Sequence, residues 1–240
     1  MSFIKDFVCV DVETTGLSAE KERIIEIGAV KYRNGVPVEE FSEFVRQEIP
    51  IPQRIAELTG IAQTDIDSAP FESEQMEKFL AFVAEDEVIM GHNLGFDHSF
   101  LTMAALRINR DFRKKGIDTL KIAKQCCADM PERKLSAMCE RYGVVNEAAH
   151  RAYCDAKATA EVYFGLLKEF GESSPEAFKP VEMCYKPKKT EPATDKQIKY
   201  LGALLRYHGL QADINYETLT KSEASRRIDN IIASYGKPLY

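Results

Sequence analysis

Asp11 and Glu13, then Asp97, then His150 and Asp155 lie in three separate stretches of the chain: FVCVDVETTG, GHNLGFDHSFL and HRAYCDAKATAEVY. Four carboxylates and one imidazole, each beside the start or end of a readable strand or helix, point to a two-metal phosphodiesterase. The reason is electrostatic. Two unit charges about 4 Å apart interact by about 4 kcal/mol at an effective dielectric near 20. Converging acids therefore shift upward in pKa or push the chain apart, unless cations offset them. Two divalent cations would balance Asp11, Glu13, Asp97 and Asp155, and oxygen-only ligands favour Mg²⁺ or Mn²⁺ over zinc. Paired cations roughly 3.5–4 Å apart suit in-line displacement at phosphorus. His150 is the expected general base, because an ordinary imidazole titrates near pH 6.5.

Taken singly, each residue has a plainer explanation. An Asp-x-Glu can be a solvated strand end, and Asp97 can be a helix N-cap. Asp155, in the first turns of a long helix, is favoured there by the macrodipole alone. Their co-occurrence, with His150 five residues before Asp155, carries the functional reading. Thr14, Thr15 and Gly16 follow the first acid pair and offer a tight turn, backbone N–H groups and a hydroxyl suited to a phosphate or sugar. As isolated imidazoles, His92, His98 and His208 read as structural.

Several strands and helices must position these groups. Phe7–Val12 reads as a buried strand whose alternation puts Asp11 and Glu13 on one face. Arg23–Arg33 and Val36–Val45 flank Asn34-Gly35, a two-residue hairpin signal. Gln53–Thr59 reads as a short helix ended by Gly60, and Phe71–Val83 as an amphipathic one. Val88–Met90 is a short strand before the glycine-bearing turn, and Asp97–Leu106 is helical. Gly116–Thr119 returns to the sheet, followed by helices over Leu120–Cys127 and Leu135–Tyr142. Ala152–Phe170 is the longest helix. A hairpin followed by alternating strands and helices predicts an α/β fold, a mixed sheet flanked by helices.

The chain has 240 residues, 45% hydrophobic and 29% charged, enough for one buried domain and a small appendage. No apolar run approaches the roughly 20 residues needed to span a bilayer. The N-terminal stretch lacks a signal peptide's apolar run and leads straight into the first acid pair, so the expected location is cytoplasmic, with no membrane partner. The six cysteines show no Cys-x-x-Cys spacing and read as reduced thiols. The net charge of −6 argues against binding nucleic acid by bulk electrostatics alone. It is unevenly spread, with ten Lys/Arg against seven Asp/Glu in residues 181–240 and 22 against 31 before them.

Asp11-Val-Glu13-Thr-Thr-Gly16, His92-Asn93 through Asp97, and His150 with Asp155 together resemble the three exonuclease motifs of the DnaQ-like DEDDh 3′→5′ exonucleases. The branch most resembled is the proofreading exonuclease of bacterial DNA polymerase III, in epsilon-subunit or PolC form. Leu58-Thr59-Gly60-Ile61, Asp118-Thr119-Leu120 and Lys134-Leu135 add to the likeness, which covers roughly residues 5–170. It implies an RNase H-like fold, with Asp11, Glu13 and Asp155 on a first metal and Asp11 bridging to a second supported by Asp97. His150 would activate the attacking water. Thr14, Thr15, Gly16, Leu17, His92 and Asn93 would approach the substrate, a single-stranded 3′ end, DNA more than RNA. Oligoribonucleases and RNA-trimming enzymes carry the same motifs.

The expected organisation is a catalytic domain over 1–172, a linker over 173–193 and a small helical module over 194–240. The linker reading rests on four prolines and weak periodicity in ESSPEAFKPVEMCYKPKKTEPA. Beyond it, Thr194–His208 is amphipathic, and Thr220–Tyr235 begins with a capping-box pattern, Thr220 and Glu223. Lys186, Lys188 and Lys189 lean the segment slightly toward nucleic acid. A polymerase or other protein is the alternative partner for the module.

Overall fold

A computed structural model describes residues 3–48, 50–187 and 191–238. Lys188 and Lys189 lie outside the described residues.

The first three strands build one half of the sheet. β1 (Phe7–Thr14), β2 (Ile24–Arg33) and β3 (Val36–Phe44) form an antiparallel meander. The β2–β3 turn is Asn34-Gly35, both with positive φ, as a tight hairpin requires. After α1 (Gln53–Thr59), α2 (Gln63–Asp67) and α3 (Glu72–Phe82), β4 (Ile89–Gly91) joins β1 in parallel. α4 (Gly95–Arg107) leads to β5 (Lys115–Asp118), parallel to β4, then α5 (Thr119–Cys126), α6 (Leu135–Tyr142) and α7 (Ala152–Phe170). With β6 (Val181–Glu182) on the far edge, the sheet order is β3-β2-β1-β4-β5-β6, the mixed sheet flanked by helices that the pattern predicts.

The sheet's two faces hold separate apolar layers. Val8, Val10 and Val12 pack with Met76, Phe79, Leu94, Phe100 and Leu101 of the α3–α4 side. Phe7 and Cys9 pack instead with Met138, Val162, Tyr163 and Leu166 of the α6–α7 side. This period-2 split is what a strand buried on both faces must show. It also assigns the odd positions of β1, and with them Asp11 and Glu13, to the face that α7 covers.

The expected linker is largely laid down on the body. A 3-10 turn at Pro175–Phe178 buries Phe178 against Tyr163 and Phe3. β6 (Val181–Glu182) then pairs antiparallel with β5. Prolines and weak periodicity masked this: two residues suffice to cover an open sheet edge, too short a run for any pattern to register. α2 escaped notice for the same reason, a five-residue helix with only Ile66 buried.

α8 (Asp195–His208) and α9 (Lys221–Tyr235) pack on one another around Leu201, Leu204, Leu205, Ala224, Ile228 and Ile231. Thr220 caps α9 by accepting the Glu223 N–H, but the reciprocal half of the expected capping box is missing. The Glu223 carboxylate is drawn instead to Arg23 at the start of β2 and to Arg227. Arg227 also pairs with Glu48, and Arg226 Nη1 donates to the Glu20 carbonyl at 2.8 Å. The small module is thus docked on the sheet domain through arginines. Among the described residues, no helix is long and apolar enough to cross a membrane.

Candidate active site

Neighbouring strands put matched pairs on the α7 face of the sheet. Reading along β1 and β2, these are Phe7 with Tyr32, Cys9 with Val30, Asp11 with Gly28 and Glu13 with Glu26. The pairs change from aromatic and apolar to acidic along β1. The helix above follows: Tyr163 and Phe164 of α7 sit by Phe7, and its N-terminus sits by Gly28 and Glu26. Gly28 is required there. A Cβ at this position would lie 2.0 Å from the Tyr153 amide nitrogen and 2.1 Å from the Ala152 carbonyl carbon. Only a residue without a side chain lets the first turn of α7 rest on β2.

That first turn carries Asp155. Its Oδ2 accepts the His150 N–H at 3.0 Å, and its Oδ1 accepts from the Asn146 side-chain amide. His150 is exposed and has φ of +64°, a left-handed backbone uncommon outside glycine. The hydrogen bond to Asp155 spans this turn and ties the imidazole-bearing loop to the helix. One ligand-capable atom from each of Glu13, His150 and Asp155 falls within a mutual 4.8 Å.

Asp97 arrives from the other side. β4 pairs with β1 only at Val8 and Cys9, so β1 runs on past its neighbour. Val8 donates to the Val88 carbonyl, and by alternation Val12 N–H points the same way. Asp97, 3% exposed in the first turn of α4, takes the vacant ladder position: its Oδ1 accepts the Val12 N–H at 3.0 Å. This bond fixes its carboxylate to β1 between Asp11 and Glu13. Asp97 is not the N-cap of α4, which is Leu94.

The turn before α4 is held from within. Asn93 has φ of +69° and donates its N–H to Asp118, which also caps α5. His92 is clasped by Thr119 Oγ1 and the Arg133 carbonyl, each at 2.9 Å, so both ring nitrogens are engaged inside the protein. In the loop after β1, Thr14 Oγ1 donates to the Gly16 carbonyl and Thr15 Oγ1 to Glu22. The threonine hydroxyls thus tie the loop together. Leu17, 79% exposed, is a large apolar side chain that this loop presents to solvent.

All four acids are pushed in one direction. Burial, then the charges of Asp97, Asp155, Glu13 and Glu26, hold Asp11 well above the usual carboxylate range. Burial raises Asp97 likewise, outweighing the Val12 N–H. Burial, then Asp155 and Glu26, raises Glu13 to about 7, with Arg151 opposing. Asp155 is raised by burial, against Asn146 and the His150 N–H. Hard oxygen donors that repel one another this way fit divalent cations: a bound cation removes the repulsion that raises them. The sequence reading missed Glu26, Gly28, Asn146 and Arg151. Glu26 had a signal, an acid in the apolar run RIIEIGAV, whereas the others show their role only through contacts.

The family profile described as Exonuclease matches residues 8–163. The chain is 38% identical over 171 residues to a PolC-type DNA polymerase III of Clostridium perfringens, covering 71% of this chain and 12% of that protein. It is 33% identical over 164 residues to the DNA polymerase III epsilon subunit of Aquifex aeolicus, covering 68% of this chain and 81% of the relative. The chain therefore spans only about an eighth of the PolC-type relatives it matches. In fold it resembles the nuclease domain of 3′hExo, a DEDDh family member bound to rAMP, with a TM-score of 0.64, 20% identity, and 76% and 99% of the two chains covered. It also resembles E. coli Exonuclease I in complex with a dT13 oligonucleotide, at 0.62, 18%, and 73% and 43%. E. coli ExoI with ssDNA has a zinc-bound form as well. These likenesses make the fold RNase H-like, and with an Exonuclease profile over most of its length this chain belongs to the DnaQ-like DEDDh exonucleases, beside the PolC-type and epsilon proteins.

Proposed function

We propose that the chain is a two-metal, Mg²⁺- or Mn²⁺-dependent 3′→5′ exonuclease. It would act on single-stranded ends, DNA ahead of RNA, and release nucleoside 5′-monophosphates. The observation that carries this reading is the approach of Glu13, His150 and Asp155 to within 4.8 Å, beside Asp11 and a buried Asp97. Asp11, Glu13, Asp97 and Asp155 would hold the cations, which when bound supply Lewis-acid stabilisation of the charge developing at phosphorus.

The chain's own residues account for the rest. His150, exposed and tethered through its backbone to Asp155, takes a proton from the attacking water. The water oxygen bonds to phosphorus as the bond to the 3′-oxygen of the preceding nucleotide breaks. The products are a nucleoside 5′-monophosphate and a strand one residue shorter with a new 3′-hydroxyl. Leu17 offers an apolar surface for the terminal base, and the turns at Gly16 and Asn93 border the acids. Kinship with DNA polymerase III proteins favours DNA; the choice of sugar rests on local contacts to a 2′-hydroxyl. The test is matched 5′-labelled single-stranded DNA and RNA with Mn²⁺ or EDTA. A cation-dependent ladder shortening from the 3′ end is expected, faster on DNA; no cleavage of either strand overturns the reading.

A second reading gives residues 194–240 a tethering role toward a polymerase or other protein. The module lies outside the matched residues 8–163 and has its own apolar core. Truncation after Pro187, which leaves β6 in place, separates the roles. Retained cleavage with lost partner capture favours tethering, and weakened single-strand binding favours a grip on nucleic acid.

A further inference from the structure

Glu26 is the third residue of β2, between the buried Ile25 and Ile27, 1% exposed, on the face that α7 covers. A carboxylate buried so completely is costly unless its oxygens are satisfied. Here they are, and by one element alone. Oε2 accepts the Ala152 N–H, the first of α7, at 3.0 Å. Oε1 accepts from Arg151 Nη2 at 3.0 Å and from Nε at 3.2 Å. The Arg151 guanidinium also lies over the Phe44 ring, 5.2 Å from its centroid, and Phe44 is the β3 residue opposite Glu26. Helix N-termini leave amides unsatisfied, and no side chain of α7's own N-cap supplies an acceptor. Glu26 supplies it from the sheet.

The position matters more than the bond. Glu26 is the direct cross-strand partner of Glu13, and Gly28, two residues along the same face, is where α7's backbone touches β2. Asp155 follows Ala152 by three residues and His150 precedes it by two. The seat formed by Glu26 and Gly28 therefore fixes where α7 starts, and with it how far Asp155 and His150 stand from Glu13. Gly28 permits the approach; Glu26 selects its register.

We propose that Glu26, through its bonds to Ala152 N–H and Arg151, is a positioning residue for the exonuclease reaction that holds Asp155 and His150 against Glu13. The proposal rests on the function given above. Groups that orient metal-binding carboxylates typically matter about 10–100-fold in affinity or rate.

Three readouts on the full chain test it, with wild type, Glu26→Ala and the isosteric Glu26→Gln. The first is hydrogen exchange of the 148–156 segment without metal: Glu26→Ala loses protection there, and Glu26→Gln, whose amide oxygen still accepts the Ala152 N–H, keeps most of it. The second is Mn²⁺ affinity by calorimetry, which falls about tenfold in Glu26→Ala and less in Glu26→Gln. The third is turnover of 5′-labelled single-stranded DNA, where kcat falls about 10–100-fold in Glu26→Ala with KM nearly unchanged. A folded Glu26→Ala with wild-type protection, Mn²⁺ affinity and kcat overturns the proposal. If Glu26→Ala does not fold, Glu26→Gln and Arg151→Gln decide it: wild-type Mn²⁺ affinity and kcat in both overturn it, and a shared loss supports it. A wild type that binds Mn²⁺ but cleaves nothing overturns the exonuclease reading while the first two readouts still judge the role of Glu26.

Discussion

His150 and Asp155 have separable duties although they share a hydrogen bond. Asp155 is buried and its carboxylate receives two donors, one of them the His150 backbone N–H, whereas His150 itself is exposed. Asp155→Ala should abolish cleavage of labelled single-stranded DNA while circular dichroism shows the fold retained. His150→Ala should leave Mn²⁺ binding largely intact but slow cleavage about 10²–10⁴-fold, the usual worth of a general base. An unchanged cleavage rate in His150→Ala removes His150 from that role. Glu13 links the site to stability. Its folded pKa is raised to about 7, so the folded chain without metal holds a proton that the unfolded chain has already lost. Stability without metal should therefore fall as pH rises from about 4.5 to 7. Mn²⁺ binds the ionised form, so the Tm increase it causes should be larger at pH 7.5 than at pH 5. Equal shifts at the two pH values would contradict the coupling.

α7 carries Asp155 and, through that carboxylate, holds the loop that bears His150, and its seat on β2 is a matter of clearance. Gly28→Ala places a methyl group where the Ala152 carbonyl carbon and Tyr153 amide now stand. Backbone atoms cannot rotate away as a flexible side chain can, so the helix must shift. Overpacking of this kind costs roughly 1–3 kcal/mol, read in urea unfolding. The kinetic loss should be larger in proportion, since about 1 Å of misplacement can cost roughly 10²-fold in rate. A Gly28→Ala enzyme with wild-type kcat would show that α7 has slack at this contact. The contrast is Gly16, where the nearest obstacle is the Glu22 side chain, which can move aside.

The molecule's two lobes meet through a buried charge cluster. Burial by itself would raise Glu223, but Arg23, Arg227 and Arg107 overcome it and hold the carboxyl at about 2. A carboxylate lowered from its ordinary 4.5 contributes stability that is complete above pH 4.5 and lost as pH falls toward 2. The shift corresponds to about 3 kcal/mol. Glu223→Ala also leaves Arg23 and Arg227 without a central partner, and breaking such a buried pair costs about 3–5 kcal/mol. Urea unfolding should thus show a large deficit for Glu223→Ala at pH 7 that shrinks by pH 3. Arg23 lies directly after the loop that bears Thr15 and Leu17, and its N–H bonds Thr15 Oγ1 at 3.0 Å. The docked module therefore abuts the loop proposed to meet the terminal base.

Much of the protein is legible in its residues alone. The alternation of Val8–Glu13 put the first two acids on one shared face, Asn34-Gly35 determined the hairpin, and long periodic runs determined α3, α4 and α7. Three motifs in order identified the family and singled out Asp11, Glu13, Asp97, His150 and Asp155, because such local patterns need only a few consecutive residues to be read. What they could not contain is anything that depends on two distant segments meeting. Glu26 is one more acid in an apolar strand until Ala152 and Arg151 arrive above it. Gly28 is an ordinary small residue until α7's backbone rests on it. Val181–Glu182 is a proline-flanked fragment until the edge of β5 is there to pair with it, and Glu223 reads as a capping residue until Arg23 draws it away. In each case the deciding term is a contact between residues far apart in the chain, which exists only once folding has brought the two segments together.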